Sequence, residues 1–218
     1  MVEVGALTFF VAISAIMFLF FVYKMFHEKD EAFAGNHRLG VVFFAILTIT
    51  SGFFEVEHQS KERAASSALS EMLGRDNVSV HCQRITGALF DAQVGTLGYV
   101  SQASPNIVLL KRETCADLDS YMHSDKSHPT RDQITAVHIL THESMHVEGW
   151  WAEPVAECYA IQHDADTAEI LGATKDEALA LQEEYYKDFY PNMPDSYTSR
   201  QCIDGGELDL NLHGAIFP

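Results

Sequence analysis

Two long uncharged apolar runs occupy the first quarter of the chain, and shorter periodic segments follow them. The first run, Val4 to Tyr23, has 20 residues and matches a hydrocarbon core of about 30 Å at 1.5 Å of helical rise per residue. The second run, Leu39 to Phe54, has 16 residues, a length to which a bilayer adapts by local thinning. The pattern predicts a lipid-bilayer anchor over residues 1–57, built from two transmembrane helices at about 4–23 and 39–54.

The first run has an alternative interpretation as a signal peptide, with cleavage after Ala32-Phe33-Ala34. Against it, the preceding tail carries Glu3 and no Lys or Arg, and the run is longer than the apolar region of a signal peptide. We therefore expect a helical hairpin.

Basic residues predict how the hairpin is oriented. Lys24, Lys29 and Arg38 lie in or next to the connection between the two runs, whereas the N-terminal tail has no basic side chain. The positive-inside rule places such a connection in the cytoplasm. This predicts a multi-pass protein of the cell membrane with residues 58–218 on the extracytoplasmic side.

Cysteines give an independent indication of the compartment. All four, Cys82, Cys115, Cys158 and Cys202, follow the apolar runs, and an even count in an outward-facing domain is typical of two disulfides. We expect Cys82–Cys115 and Cys158–Cys202, because these pairings close local loops. The alternative is four buried free thiols.

The second part of the chain changes from a strand pattern to a helix pattern. After a helix over 61–74, the segments VSVHC, LFDAQ, VGTLGYVS and NIVLL predict three or four short strands, which we expect to be antiparallel. Helices are then predicted over 112–123, from Thr130 to Gly149, from Glu153-Pro154 to Gly172, and from Thr174 to Tyr190. Strands followed by helices indicate an α+β domain.

Charge excludes one class of partner. Residues 55–218 carry 11 basic and 27 acidic side chains. Binding to nucleic acid requires the opposite sign, so we expect no nucleic-acid partner.

The helix before Gly149 contains the pattern H-E-x-x-H. His142 and His146 lie one turn apart on one face, so both imidazoles can bind one metal ion. Zinc in such a site lowers the pKa of a bound water towards about 7. Glu143 is then expected to be the general base, which takes a proton from that water and returns it to the leaving amine.

A catalytic zinc needs a third protein ligand and an open fourth position. Glu153 and Glu157 follow the motif at once and lie one turn apart on the next predicted helix. One of them can bind zinc while the other accepts the N–H of a ligating histidine. The spacing alone does not decide which glutamate has which role.

With these residues, His142-Glu143-x-x-His146 followed by Glu153-x-x-x-Glu157, the chain resembles the gluzincin metallopeptidases. The segment ESMHVEGWWAEPVAECYAIQ also resembles membrane-anchored bacterial proteins with predicted metallopeptidase domains. The resemblance implies a small zincin-like domain in which His142, His146 and Glu153 bind Zn²⁺. It further implies Glu143 as the base and Glu157 as the partner of a ligating histidine.

Two features differ from the related motifs. Only six residues separate His146 from Glu153, fewer than in most gluzincins. Together with Gly149 the motif also reads H-E-x-x-H-x-x-G, the start of the longer metzincin pattern, but Ala152 stands where that pattern requires a His or Asp ligand.

Further residues have less specific patterns. His138 precedes His142 by one turn and is more typical of a partly buried helix histidine than of a ligand. Peptide hydrolysis at such a site also needs a hydrogen-bond donor to the oxyanion that forms from the scissile carbonyl. Six side chains could supply it: Tyr159, His163, Tyr185, Tyr186, Tyr190 and Tyr197. Trp150-Trp151 could line a substrate groove, plug a turn or contact the membrane surface. NIVLL could be an edge strand that pairs with an extended peptide.

The sequence therefore supports two hypotheses. In the first, the protein is a membrane-anchored zinc peptidase that acts on peptide or protein substrates. In the second, residues 58–218 bind a metal or a protein partner without hydrolysis. Glu143 distinguishes the two, because a purely structural metal site has no need of a general base.

Overall fold

The computed structural model describes residues 6–27, 31–84 and 95–212. Large apolar side chains are exposed along its first helix and the first part of its second helix. The chain divides into two units, Met1–Ser60 and Lys61–Pro218. The boundary predicted at residue 57 is close to this division.

The N-terminal unit contains helix α1, Ala6–His27, and the first part of helix α2, Glu31–Leu73. Both helices are long and apolar enough to cross a membrane. Small and polar side chains join them: the Thr48 hydroxyl donates to the Ser14 hydroxyl at 3.1 Å. A Cβ at Gly40 would overlap the ring of Phe21, so this glycine permits the close approach.

Helix α2 continues well past the predicted apolar run. The sequence analysis separates the run that ends at Phe54 from a helix over 61–74, but the structure joins them in one 43-residue helix. Residues 55–64, EVEHQSKERA, contain no Gly or Pro and are rich in good helix formers, so nothing in them ends the helix.

The C-terminal unit begins with the last turns of α2 and continues with a small sheet followed by four helices. The strands are β1, Ser79–Cys82, β2, Gly98–Ser101, and β3, Ser104–Leu110. The helices are α3, Arg112–His123, α4, Arg131–Glu148, α5, Glu153–Ile170, and α6, Lys175–Glu184. The expected α+β class is confirmed.

The sheet has the order β1-β3-β2, which differs from expectation in two respects. Strands β2 and β3 are antiparallel because a two-residue turn joins them, but β1 pairs with β3 in parallel, with Val80 opposite Val108. The expectation of wholly antiparallel strands was therefore wrong. The segment NIVLL lies in the central strand and not at an edge; β2 is an edge strand among the described residues. The predicted strand LFDAQ lies outside the described residues.

Helix α4 packs against β2 and β3 and begins and ends at the predicted residues. At its start, Thr130 and Gln133 form a reciprocal capping box. At its end, Gly149 has a φ of 102°, a left-handed conformation that glycine adopts without steric cost. The chain therefore reverses here, and α5 begins four residues later, at Glu153, with Pro154 in its first turn.

The helix predicted from Thr174 to Tyr190 is less regular than expected. Its α-helical part ends at Glu184, and a π-helical turn, Tyr185–Phe189, and a short 3₁₀ turn, Tyr190–Asn192, follow. The π-helical turn contains Tyr185, whose side chain is buried.

Both predicted disulfides are present. Cys82–Cys115 joins β1 to α3 with a Cα–Cα distance of 5.8 Å, and Cys158–Cys202 joins α5 to the C-terminal tail at 5.6 Å. The second disulfide secures a segment that is largely irregular.

Replacement of Cys82 and Cys115 by Ala should lower the free energy of unfolding by about 3–4 kcal/mol, because the disulfide restricts the unfolded chain. The cross-linked residues are 33 apart in sequence. Urea denaturation of the full chain in detergent, followed by tryptophan fluorescence, measures the change. A double variant as stable as the parent would contradict this account.

Candidate metal centre

The end of α4 and the start of α5 bring two histidines and a glutamate together. The Nε2 atom of His142 lies 3.1 Å from Oε2 of Glu153, and Nε2 of His146 lies 3.5 Å from the same oxygen. These three side chains form a group whose ligand atoms are close enough to hold one metal ion.

The spacing of these atoms fits a tetrahedral ion. Ligand atoms about 2.0–2.1 Å from a tetrahedral zinc are separated from one another by about 3.3 Å. The separations of Glu153 Oε2 from the two Nε2 atoms, 3.1 and 3.5 Å, lie on either side of that value. All three ligand atoms lie within 4.8 Å of one another, so they can converge on one ion.

The second nitrogen of each histidine already has an acceptor. Nδ1 of His142 lies 2.9 Å from Oε2 of Glu157, and Nδ1 of His146 lies 2.8 Å from the carbonyl oxygen of Trp150. Since a carbonyl accepts only and a carboxylate accepts when ionised, both Nδ1 atoms carry the hydrogen. Both Nε2 atoms face the Glu153 carboxylate, and a metal bound there would take the place of the hydrogens that they direct at it.

The two glutamates, Glu153 and Glu157, differ in exposure to solvent. The side chain of Glu153 is 42% exposed, and hydrogen bonds from His142 and then His146 lower its pKa to about 2. Glu157 is almost completely buried. Burial alone would raise the pKa of Glu157, but the adjacent His138 and His142 outweigh burial and lower it. Both side chains are carboxylates at neutral pH.

Glu143 lies beside this group but is not one of the metal-binding candidates. Its side chain is buried and lines the cleft described below, and its Oε2 atom has no hydrogen-bond partner among the described residues. Burial raises the pKa of Glu143 to about 7, although His142 and His146 oppose the shift. A buried carboxylate oxygen without a partner, next to the imidazoles, has unused hydrogen-bonding capacity.

A cleft of about 580 Å³ opens onto the group. Strand β2 with its flanking residues forms one wall, α4 and the start of α5 form another, and residues 193–197 of the tail close one side. Strand β2 lies close to the motif helix because Gly98 has no side chain. A Cβ there would lie 3.2 Å from Cγ of Glu143 and 3.1 Å from the side chain of Ile139.

The two tryptophans have different environments. Trp151 lines the cleft and stacks on His146 with 5.6 Å between ring centroids, as expected for a residue of a groove. Trp150 packs edge to face on Tyr159 and offers its carbonyl to His146. Trp150 therefore supports His146 through its backbone carbonyl.

His138 is completely buried, which differs from the expected partly buried residue. Its Nδ1 lies 2.9 Å from Oδ2 of Asp164, and its Nε2 lies 3.1 Å from Oε2 of Glu157. Burial lowers the pKa of His138, but the two carboxylates outweigh burial and raise it to about 10. His138, His142 and Glu157 also form a group compact enough for a metal.

Of the six candidates for an oxyanion donor, Tyr197 lines the cleft. Its ring centroid lies 6.0 Å from that of His142. Burial, followed by Glu153 and Glu143, raises the pKa of Tyr197, so the phenol keeps its proton. The other five side chains do not line this cleft: Tyr159, His163, Tyr185, Tyr186 and Tyr190.

Two contributions were not identified from the sequence, those of Asp164 and Gly98. Asp164 does have a sequence signal: it lies seven residues after Glu157 and therefore on the same face of α5. Gly98 has none, because its importance depends on the packing of β2 against α4.

Glu153→Gln should lower zinc affinity at least about tenfold, because it removes the anionic oxygen that faces both Nε2 atoms. Competition with a chromophoric chelator measures the affinity. Glu169→Gln is the matched control, since Glu169 is an exposed glutamate on the same helix. Equal affinities of the two variants would rule out Glu153 as a ligand.

Comparisons with known proteins give no relative from which a function could be transferred. No protein-family model matches the chain, and no curated protein or solved structure matches it significantly. Function must therefore be inferred from the side chains of the cleft.

Proposed function

We propose that this chain is a membrane-anchored, zinc-dependent peptidase. The observation that carries the proposal is the buried carboxylate of Glu143, which lines the cleft beside two imidazole Nε2 atoms and the carboxylate of Glu153. A metal site that served only structure would have no use for this fourth side chain.

The ligand set favours zinc. Two imidazoles and one carboxylate, with the cleft side left open to solvent, are typical of catalytic zinc sites. The ion would supply Lewis acidity to a water molecule and to the scissile carbonyl. The chain must then bind the peptide, move protons and stabilise the developing negative charge.

Glu143 is the group that moves the proton. Its Oε2 atom has no hydrogen-bond partner among the described residues, so it can accept a proton from the attacking water. The same oxygen then delivers the proton to the amide nitrogen as the carbon–nitrogen bond breaks. Packing of Gly98 against Cγ of Glu143 restricts where this carboxylate can go.

Tyr197 is the donor that we assign to the oxyanion. Its hydroxyl stays protonated and can donate to the carbonyl oxygen as negative charge develops there. The tail that carries it is secured nearby: the Ser199 backbone N–H donates to the Tyr190 hydroxyl at 2.9 Å, and Cys202 is bonded to α5. This anchoring keeps an otherwise irregular segment at the cleft.

Strand β2 supports binding of a peptide in an extended conformation. Residues 98–101 line the cleft, and β2 is an edge among the described strands, so its backbone can pair with a substrate. We therefore assign the pairing with a peptide to β2 and not, as the sequence suggested, to NIVLL, which lies in the central strand β3. The acidic domain favours neutral or cationic peptides by long-range attraction.

The proposed location is the extracytoplasmic face of the cell membrane. Two helices are apolar enough to span a bilayer, and basic residues lie in the connection between them. Two disulfides in the C-terminal unit are typical of an oxidising compartment.

Glu143→Gln should reduce peptide hydrolysis at least about 100-fold while zinc content stays at one per chain, because only the proton acceptor is lost. The assay incubates the full chain in detergent with a complex peptide library and counts new termini by mass spectrometry. Glu148→Gln, an exposed change on the same helix, is the control.

Two outcomes would contradict the proposal. Turnover retained by Glu143→Gln would exclude the assigned base. Zinc bound by the parent chain without any cleavage of the library would favour a metal-binding domain without hydrolysis.

Tyr197→Phe should lower kcat about 100-fold with little change in KM, because the donor acts mainly in the transition state. Once a substrate has been identified, steady-state kinetics separate the two constants. Tyr159→Phe removes a hydroxyl from a residue that does not line the cleft and should leave both unchanged. A loss confined to KM would assign Tyr197 to substrate binding.

A further inference from the structure

A buried hydrogen-bonded network lies behind the metal-binding group, and the proposed mechanism does not use it. We propose that His138, Asp164 and Tyr185 are positioning residues that hold His142 in its metal-binding orientation through Glu157. The inference rests on the proposed function, because it concerns the same metal site.

The network converges on one carboxylate. Oε2 of Glu157 lies 3.1 Å from Nε2 of His138 and 2.9 Å from Nδ1 of His142, and Oε1 accepts from the Tyr185 hydroxyl at 2.9 Å. Glu157 is 1% exposed. Three hydrogen bonds fix both of its oxygens, so the acceptor of His142 cannot turn away.

His138 is held as firmly as Glu157. Asp164 lies 2.9 Å from its other nitrogen, and the ring of Tyr185 stacks on its face with 3.6 Å between centroids. Since carboxylates face both ring nitrogens, His138 donates at both ends. It is therefore a cation that faces Glu157 and Asp164, and these contacts offset part of the cost of burying the three groups, although burial raises the pKa of Asp164.

The polar chain leads from Asp164 through His138 and Glu157 to Nδ1 of His142. An imidazole that binds a metal through Nε2 carries its hydrogen on Nδ1 and needs an acceptor there. A fixed acceptor selects this tautomer and the ring rotation together. The remaining nitrogen, Nε2, is the atom that faces Glu153.

The same atoms could be interpreted as a second metal site, since His138, His142 and Glu157 also lie close together. A metal there would take the places of the hydrogens on Nε2 of His138 and Nδ1 of His142. Asp164 would still accept from His138, but Glu157 would have lost two of its three donors. The hydrogen-bonded network accounts for every contact without an ion.

The test compares zinc binding by Tyr185→Phe, His138→Gln and Asp164→Asn in the full chain. Tyr185→Phe is the key variant, because it keeps the ring that stacks on His138 and removes only the hydroxyl. Tyr190→Phe is its matched control: both are buried tyrosines with hydrogen-bonded hydroxyls, but that of Tyr190 bonds to the backbone of Ser199.

We expect zinc affinity to fall about tenfold in Tyr185→Phe and about 10- to 100-fold in His138→Gln, with one zinc per chain throughout. Tyr190→Phe should bind zinc as the parent does. NMR of the zinc-bound His142 ring gives a second readout: its Nδ1 hydrogen should exchange with solvent slowly in the parent and faster in the variants. A role in folding alone would change neither quantity in the folded protein.

Three results would overturn the proposal. Lower melting temperatures with unchanged zinc affinity and unchanged exchange of the Nδ1 hydrogen would reduce the network to core structure, leaving the proposed function intact. Two zinc ions in the parent and one in His138→Gln would establish a second metal site. No zinc binding by the parent would overturn the proposed function as well.

Discussion

The site depends on the pairing of a histidine stripe with an acidic stripe on two consecutive helices. On α4, three histidines recur at intervals of one turn; on α5, three carboxylates follow Gly149 along one face. Their contacts run in opposite order along the two helices: His146 meets Glu153, His142 meets both glutamates, and His138 meets Glu157 and Asp164. Neither stripe could be buried alone, because unpaired imidazolium and carboxylate groups are costly away from water.

The pairing divides the two stripes into an inner part and an outer part. The inner part, around Glu157, is closed from solvent, and every carboxylate there faces a donor. The outer part, around Glu153, lines the cleft together with Glu143. Rigid support behind the reacting groups, with an opening in front of them, is the arrangement that metal catalysis requires. The pair formed by α4 and α5 provides both the support and the opening, because the contacts between the two helices are more deeply buried around Glu157 than around Glu153.

Short-range sequence patterns predicted most of the pair formed by α4 and α5. Thr130 and Gly149 bound α4, Pro154 begins α5, and the H-E-x-x-H spacing indicates which face binds a metal; each depends on residues within one or two turns. Contacts between distant segments were not predictable in the same way. The parallel pairing of β1 with β3 depends on the path of a long connection. Tyr197 could not be chosen among six candidates because an irregular tail brings it to the cleft. The contacts of His138 were not predicted because its partner, Asp164, is 26 residues away in sequence.

A crystal structure of the zinc-loaded protein, with anomalous diffraction measured at the zinc edge, tests the central claim most directly. The account predicts a single strong anomalous peak, at a zinc ion bonded to Nε2 of His142, Nε2 of His146 and a carboxylate oxygen of Glu153. The remaining coordination position should face the cleft beside Glu143. A peak at another place in the fold, or an ion whose fourth position is filled by a protein side chain, would contradict a catalytic site.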